Sequence, residues 1–192
     1  MRIKRDQRQT RMRQTEFRAA ETDGRKVIDG YFAVFGDIYE LWPGATESID
    51  PHAFDETLGD DIRALIDHET RLVLGRNKAG TLDLKVDSRG LWADIDINEN
   101  DTDAMNLYAR VQRGDVSQAS FGFDILQEET DIREDGSVHW TIKKVKLYEV
   151  SCVTFPAYKD TSISARKAQY EQIRQRQVDA WRALMKERLR NA

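Results

Sequence analysis

Leu82-Asp-Leu-Lys-Val-Asp87-Ser-Arg-Gly90-Leu-Trp-Ala-Asp-Ile-Asp-Ile97 is the stretch that decides the fold class. Leu82, Leu84 and Val86 alternate with polar residues, and after the turn at 87–90 so do Leu91, Ala93, Ile95 and Ile97. Side chains of an extended chain point to opposite faces in turn, so each run buries one face and the pair predicts a hairpin. The same period recurs outward. Towards the N-terminus, Ile62, Ala64 and Ile66 alternate with mostly polar neighbours, and Gly30-Tyr-Phe-Ala-Val-Phe-Gly36 is a short apolar strand bounded by glycines. Towards the C-terminus, residues 119–126 read as a strand, and the Asp135-Gly136 turn leads into a long one from about Val138 to Phe155. Two helices are expected between the strands. Ser48-Ile-Asp-Pro-His-Ala-Phe54 predicts a strand running into a short helix that ends near Gly59, with Asp50 as N-cap and Pro51 at the first helical position. Asn100-Asp-Thr-Asp103 opens a second one through about Arg113, with Met105, Tyr108 and Val111 on one face and Gly114 as the stop. About seven or eight strands with a few helices make a β-rich α+β domain, a barrel or a sandwich.

With 192 residues the chain can bury one sizeable core, and 40% hydrophobic with 33% charged residues argues against collagen-like, disulfide-framework and wholly disordered classes. The formal net charge of -4 is unevenly spread. Residues 1–18 carry seven Lys/Arg against two acids, residues 166–192 carry eight against three, and the middle carries fifteen against twenty-nine. An acidic body thus lies between two basic, glutamine-rich ends, which argues for a separate role of the ends. Residues 1–24 have almost no periodic apolar pattern and are expected to form a flexible basic arm. Beyond Pro156 the period changes, and Tyr170, Ile173, Val178, Trp181, Met185 and Leu189 suit an amphipathic helix with a slip in register near Gln177. The expected organisation is an arm at 1–24, a folded domain at 25–165 and a basic helical tail at 166–192. No apolar run approaches the roughly 18 residues of a membrane span, and the start lacks the apolar stretch of a secretory signal. The lone Cys152 can form no internal disulfide, so the chain is expected in the cytosol.

Three segments could carry chemistry. In Leu65-Ile-Asp-His68-Glu69 a histidine follows an alternating strand, and histidine titrates near neutrality, as a general base must; the plainer reading is a surface histidine in an acidic loop. In Asp115-Val-Ser117-Gln-Ala-Ser120-Phe-Gly-Phe-Asp124, Phe121 and Phe123 point to one face and Ser120 and Gly122 to the other. A substrate backbone could then approach Ser120 closely, as a nucleophile requires, although a half-buried strand with a small-residue face fits equally well. Ser117 is the weaker nucleophile. In Leu147-Tyr-Glu149-Val-Ser-Cys-Val-Thr-Phe155 a carboxylate interrupts an apolar strand and needs a partner once buried. That partner is either the imidazole of His68, completing a hydrolase triad with Ser120, or one of Lys143, Lys144 and Lys146.

Taken together, these segments resemble the prohead (capsid maturation) serine protease family of tailed bacteriophages, related in fold to the herpesvirus capsid-maturation proteases. The resemblance spans about Gly30 to Ala165. It rests on the order and spacing of Gly30–Gly36, Glu47-Ser-Ile-Asp-Pro-His-Ala-Phe54, Asp67-His68-Glu69, Leu74-Gly75-Arg76, Asp87-Ser-Arg-Gly-Leu91, Arg113-Gly-Asp-Val-Ser117, Ser120-Phe-Gly-Phe123, Glu149-Val-Ser151 and Pro156-Ala157. It implies a partly closed β-barrel of about seven strands with flanking helices and a serine endopeptidase that cuts scaffold or capsid-protein segments inside the immature capsid. His68 matches the family's histidine and Ser120 its serine. Glu149 sits where the third member is expected, a position that is a second histidine in the herpesvirus relatives. Asp67 is a poorer orienter, and Asp50 is kept as an alternative. The resemblance further suggests self-cleavage within residues 1–24 or after Ala165 and residence in the assembling prohead within the host cytoplasm, and the herpesvirus relatives suggest a homodimer; no cofactor is expected.

Rival readings make different predictions. A cysteine protease would need an exposed Cys152 thiol. A metal hydrolase would draw ligands from Asp50, His52, Asp67, His68 and Glu69, but no HExxH or comparable spacing is present. A non-enzymatic capsid assembly or scaffold module would use the basic C-terminal helix. A dedicated nucleic-acid-binding role sits poorly with the acidic body.

Overall fold

The computed structural model describes residues 9–14, 17–155 and 160–190, and the chain divides into two compact units, residues 1–157 and 158–192. Among the described residues there are eleven strands: β1 (Gln9–Gln14), β2 (Arg18–Thr22), β3 (Arg25–Val34), β4 (Tyr39–Trp42), β5 (Ala45–Ile49), β6 (Arg63–Ile66), β7 (Glu69–Arg76), β8 (Leu82–Val86), β9 (Gly90–Asp96), β10 (Gln118–Ile132) and β11 (Val138–Val153). Helix α1 (Thr102–Arg113) belongs to the first unit, and helix α2 (Asp160–Arg190) makes up most of the second. The body is therefore β-rich α+β, as the alternation predicts. Its strands form two sheets, and among the described residues neither closes into a barrel, so the expected partly closed barrel is not confirmed.

The four-stranded sheet runs β2-β3-β9-β8, with the hairpin predicted from residues 82–97 as its β8–β9 half. Gly90 is required there because a Cβ would collide with the backbone carbonyl of Ala33. The seven-stranded sheet runs β1-β10-β11-β5-β4, and β6 and β7 are added to β11 beyond β5. One edge of β11 is thus shared: residues 138–142 pair in parallel with β5 and residues 149–152 pair in parallel with β6. Between the sheets lies one apolar cluster that takes Ile28, Phe32, Leu91 and Ile95 from the smaller sheet and Phe121, Phe123, Val150 and Cys152 from the larger. Phe121 contributes ring contacts to Phe54 and Phe123 at centroid distances of 5.7 and 4.8 Å. Helix α1 is capped as its sequence predicts. The Asp101 side chain accepts from the N–H groups of Asp103 and Ala104, and Gly114 ends the helix in the left-handed conformation.

Two expectations are corrected. Residues 51–59 form no helix but a run of turns, with Ala53 bonded to Asp50, Asp55 to His52 and Thr57 to Phe54 through i to i+3 backbone bonds. The reason is competition from β11. The Ala53 carbonyl accepts from Val145 N–H at 3.0 Å and the Thr57 hydroxyl from Leu147 N–H at 2.8 Å, so the segment fills the gap along β11 between β5 and β6. Residues 9–14 and 18–22, expected within a flexible arm, are strands: β1 pairs with β10, and β2 pairs with β3. Alternation is a weak guide for such polar strands, because their pairing is provided by neighbours distant in sequence. Residues 156–157, quoted in the resemblance, lie outside the described residues. No described helix is long and apolar enough to cross a membrane.

Candidate active site

His68 is held by a two-residue hairpin turn. Ile66 at the end of β6 pairs with Glu69 at the start of β7, leaving Asp67 and His68 as the central residues with φ of +46° and +62°. Two positive φ values mark the type I′ class, whose twist matches the flanking strands, and Asp and His are among the non-glycine residues that tolerate this region. Asp67 pins the turn to the end of β11. Its N–H donates to the Cys152 carbonyl at 2.9 Å, and its carboxylate accepts from Thr154 N–H at 2.8 Å and the Thr154 hydroxyl at 3.2 Å. Asp67 is therefore committed to Thr154 and anchors the loop that carries the histidine.

From this turn the imidazole reaches back over the sheet to Glu149. The Nδ1–Oε1 distance is 2.7 Å, and the side chains are 12% and 1% exposed. A carboxylate accepts, so Nδ1 donates, and in the neutral ring this tautomer leaves the lone pair on Nε2. Nε2 is buried and has no hydrogen-bond partner among the described residues. The other oxygen of Glu149 accepts a short hydrogen bond from the hydroxyl of Ser151. Of the lysines considered as partners for Glu149, Lys143 pairs with Asp50 and Lys144 with Glu56.

Ser120 occupies the adjacent strand. Opposed residues of paired strands share a face. Ser120 is opposite Ser151 and Gly122 is opposite Glu149, so the serine, Ser151 and the carboxylate lie on one side of the sheet, while Phe121, Val150 and Cys152 enter the core on the other. On its second edge Ser120 is opposite residue 12 of β1. A bulge lies beside Glu149, since Gly122 pairs with Glu149 but Phe123 pairs with Leu147. The extra residue, Tyr148, shifts the core positions of β11 from Val145 and Leu147 to Val150 and Cys152. That shift turns Glu149 away from the core and onto the face of Ser120. All three residues singled out from the sequence thus belong to one sheet region, and His68 and Glu149 touch. Ser117 stands in the loop before β10.

Other chemistry finds less support. Cys152 is fully buried, and burial together with the negative charge of Asp67 pushes its thiol far above the ordinary range, so no thiolate is on hand. The metal-ligand candidates do not converge, with His52 paired to Asp55, Asp67 to Thr154 and His68 to Glu149. Asp50 lies against Lys143. Burial works against its charge, but the Lys143 ammonium and the His52 N–H hold the carboxyl below its usual range. Two features escaped the sequence reading: the Ser151 hydroxyl, quoted only as part of a motif, and the turn at Asp67-His68, whose left-handed pair has no glycine to signal it.

Residues 13–176 match the family described as caudovirus prohead serine protease. The prohead protease of Enterobacteria phage HK97 is 27% identical over 151 residues, covering 76% of this chain and 63% of that relative. For the prohead protease of Escherichia phage T5 the identity is 30% over 104 residues, covering 54% of this chain and 45% of the relative. The chain therefore spans less than two thirds of the length of these curated relatives. No solved structure matches it. The family match covers β6, β10 and β11 in full, and with them His68, Ser120 and Glu149. On that breadth of agreement, the chain belongs to the caudovirus prohead serine protease family.

Proposed function

We propose that this protein is a serine endopeptidase that cuts capsid protein, or its scaffold segment, inside the immature phage capsid in the host cytoplasm. The observation that carries the reading is the His68–Glu149 contact, which leaves a buried Nε2 as the basic nitrogen of the ring. Ser120 Oγ attacks the scissile carbonyl as His68 Nε2 takes its proton, and the Oγ–C bond forms. The C–N bond then breaks as His68 returns that proton to the leaving amine. Water enters by the same base catalysis and frees Ser120. Glu149 fixes the tautomer and stabilises the imidazolium. Positioned base catalysis of this kind is worth roughly 10²–10⁴-fold.

Self-cleavage is part of the proposal, with its sites narrowed by the fold. Residues 9–14 and 18–22 are paired strands and Phe17 is buried against Phe32, which favours N-terminal trimming before Gln9; C-terminal trimming is proposed after Ala165. A second reading, a non-enzymatic assembly module, draws on α2, whose Trp181, Leu184 and Leu189 are exposed beside many basic residues. The two separate in one experiment with purified chain and capsid protein. The protease reading expects cleavage and fluorophosphonate labelling by the wild type and neither by Ser120→Ala. Undiminished cleavage by Ser120→Ala would overturn the serine assignment; capsid-protein binding without any cleavage by the wild type would favour the module.

A further inference from the structure

We propose that Ser151 is a positioning residue of this site: its hydroxyl holds the Glu149 carboxylate in the orientation from which that carboxylate fixes His68. The inference rests on the protease reading and adds to it a residue outside the Ser120, His68 and Glu149 set.

Each oxygen of Glu149 has its own partner, Oε1 the His68 ring and Oε2 the Ser151 hydroxyl. A glutamate has three rotatable side-chain bonds, and one contact at its tip leaves the carboxylate plane free to turn. A second contact on the other oxygen removes that freedom. Ser151 is suited to supply it. Two residues along the same strand, it shares the face of Glu149, and it is fully buried, so no water competes for its proton. Its neighbours are fixed in turn, since Ser151 is opposite Ser120 on β10 and opposite Leu65 on β6. The same register explains why Ser151 is not itself the nucleophile. Its proton goes to Glu149, whereas an attacking hydroxyl must give its proton to the histidine. Hydrogen bonds to a carboxylate in a buried site are among the stronger ones, which makes this contact a sizeable contributor to the geometry.

The test compares wild type, Ser151→Ala, Ser151→Thr and Ser120→Ala in full-length protein, using turnover of capsid protein and the downfield proton NMR signal of the His68 Nδ1–H. Ser151→Ala is expected to lower kcat about 10- to 100-fold with KM within about twofold, the pattern of a lost interaction that positions the machinery and not the substrate. Its Nδ1–H signal should shift or broaden, and Ser151→Thr, which keeps the hydroxyl, should recover most of both. Wild-type kcat with an unchanged signal in Ser151→Ala overturns the inference. If Ser151→Ala does not fold, Ser151→Cys, similar in size but a weak donor, carries the same comparison. Full activity in Ser120→Ala would sink the Ser120 assignment alone, and no turnover by the wild type would sink the protease reading, because in either case the NMR comparison still decides whether Ser151 positions the Glu149–His68 pair.

Discussion

His68 Nδ1 lies 2.7 Å from Glu149 Oε1 although 81 residues separate them in the chain. The contact is made by one strand edge: β11 carries Glu149, β6 pairs with it in parallel from Arg63 opposite Glu149 to Ile66 opposite Cys152, and the turn after Ile66 swings His68 back over that edge. A histidine at the end of the strand next to the carboxylate has only to fold over by one turn. The acid–base pair is therefore a consequence of register and not of a long loop.

Replacing Glu149 by Gln keeps the shape of the side chain but removes the charge and allows the amide to present its N–H groups to the ring. His68 is then held in the wrong tautomer, with its proton on Nε2. The expected loss in kcat is on the order of 10³- to 10⁴-fold, as for the acid of a serine protease triad. Groups that act as a unit are not additive, so Glu149→Gln combined with His68→Ala should cost little more than His68→Ala alone. Steady-state turnover of the three variants measures this, and multiplicative losses would count against a coupled pair.

Asp67 is expected to support the site through stability. Asp67→Ala removes the two bonds to Thr154 and places a Cβ-bearing residue with no polar compensation at φ +46°. The cost should be about 1–3 kcal/mol. Asp67→Gly loses the same bonds but is free of the conformational penalty, so it should lie between the wild type and Asp67→Ala in urea unfolding. Equal losses for the two variants would show that the left-handed turn carries no strain.

How much of this could be read beforehand follows from the kind of signal each element gives. The β8–β9 hairpin and α1 were legible because alternation, an Asp cap and a terminal glycine are local, and nothing in the tertiary structure opposes them. The helix expected at residues 51–59 was not, because its carbonyl and hydroxyl acceptors are claimed by Val145 and Leu147, nearly a hundred residues away. Glu149 looked like a carboxylate interrupting an apolar strand, and the bulge at Tyr148 shows why: the alternation changes phase there, placing Glu149 off the core. Strand β1 left no trace in the hydropathy, and its place alongside residues 118–123 comes from backbone pairing with β10. The partnership of Ser151 with Glu149 needed coordinates, since a hydroxyl two residues from a carboxylate on a strand is common and bonds to it only when burial removes water.

The base of the β6–β7 hairpin should respond to acid. Arg63 and Arg76 are directly opposed across it, an arrangement that repels, and Asp61 bridges both, at 3.2 Å from Arg63 and at 2.7 and 2.8 Å from Arg76. Its hydrogen bonds to Arg76, helped by the charge of both arginines, hold the Asp61 carboxyl at about 2. The folded value lies below the ordinary one of about 4, so the contribution to stability is present above about pH 4 and is lost as the pH falls towards 2. Asp61→Asn should be less stable than the wild type near neutrality, and the gap should close on acidification. High salt should narrow it too, because the carboxylate is exposed. Denaturation midpoints of both proteins from pH 7 to pH 2 test the sign, and a gap that widens in acid would contradict it.

Gly75 provides the last check, on the packing of the strand that follows His68. It is a buried residue of β7, opposite Ala64 of β6, and a Cβ there would collide with the backbone carbonyl of Thr81 and come within 3.4 Å of Ile95. The Thr81 carbonyl cannot simply step aside, because it accepts from Asp96 N–H at 3.1 Å and so helps close the β8–β9 hairpin. Gly75→Ala must therefore move β7 as a whole or break that bond, at a cost of about 1–3 kcal/mol by the measure of overpacked cores. Because β7 begins at Glu69, immediately after the histidine, a displaced strand should also weaken the His68–Glu149 contact. The expected variant unfolds at lower urea and turns over more slowly, whereas Gly80→Ala, with open space around its Cβ but a positive φ, should lose stability without losing turnover. Both effects arising equally in the two variants would mean that the close approach at Gly75 does not position the site.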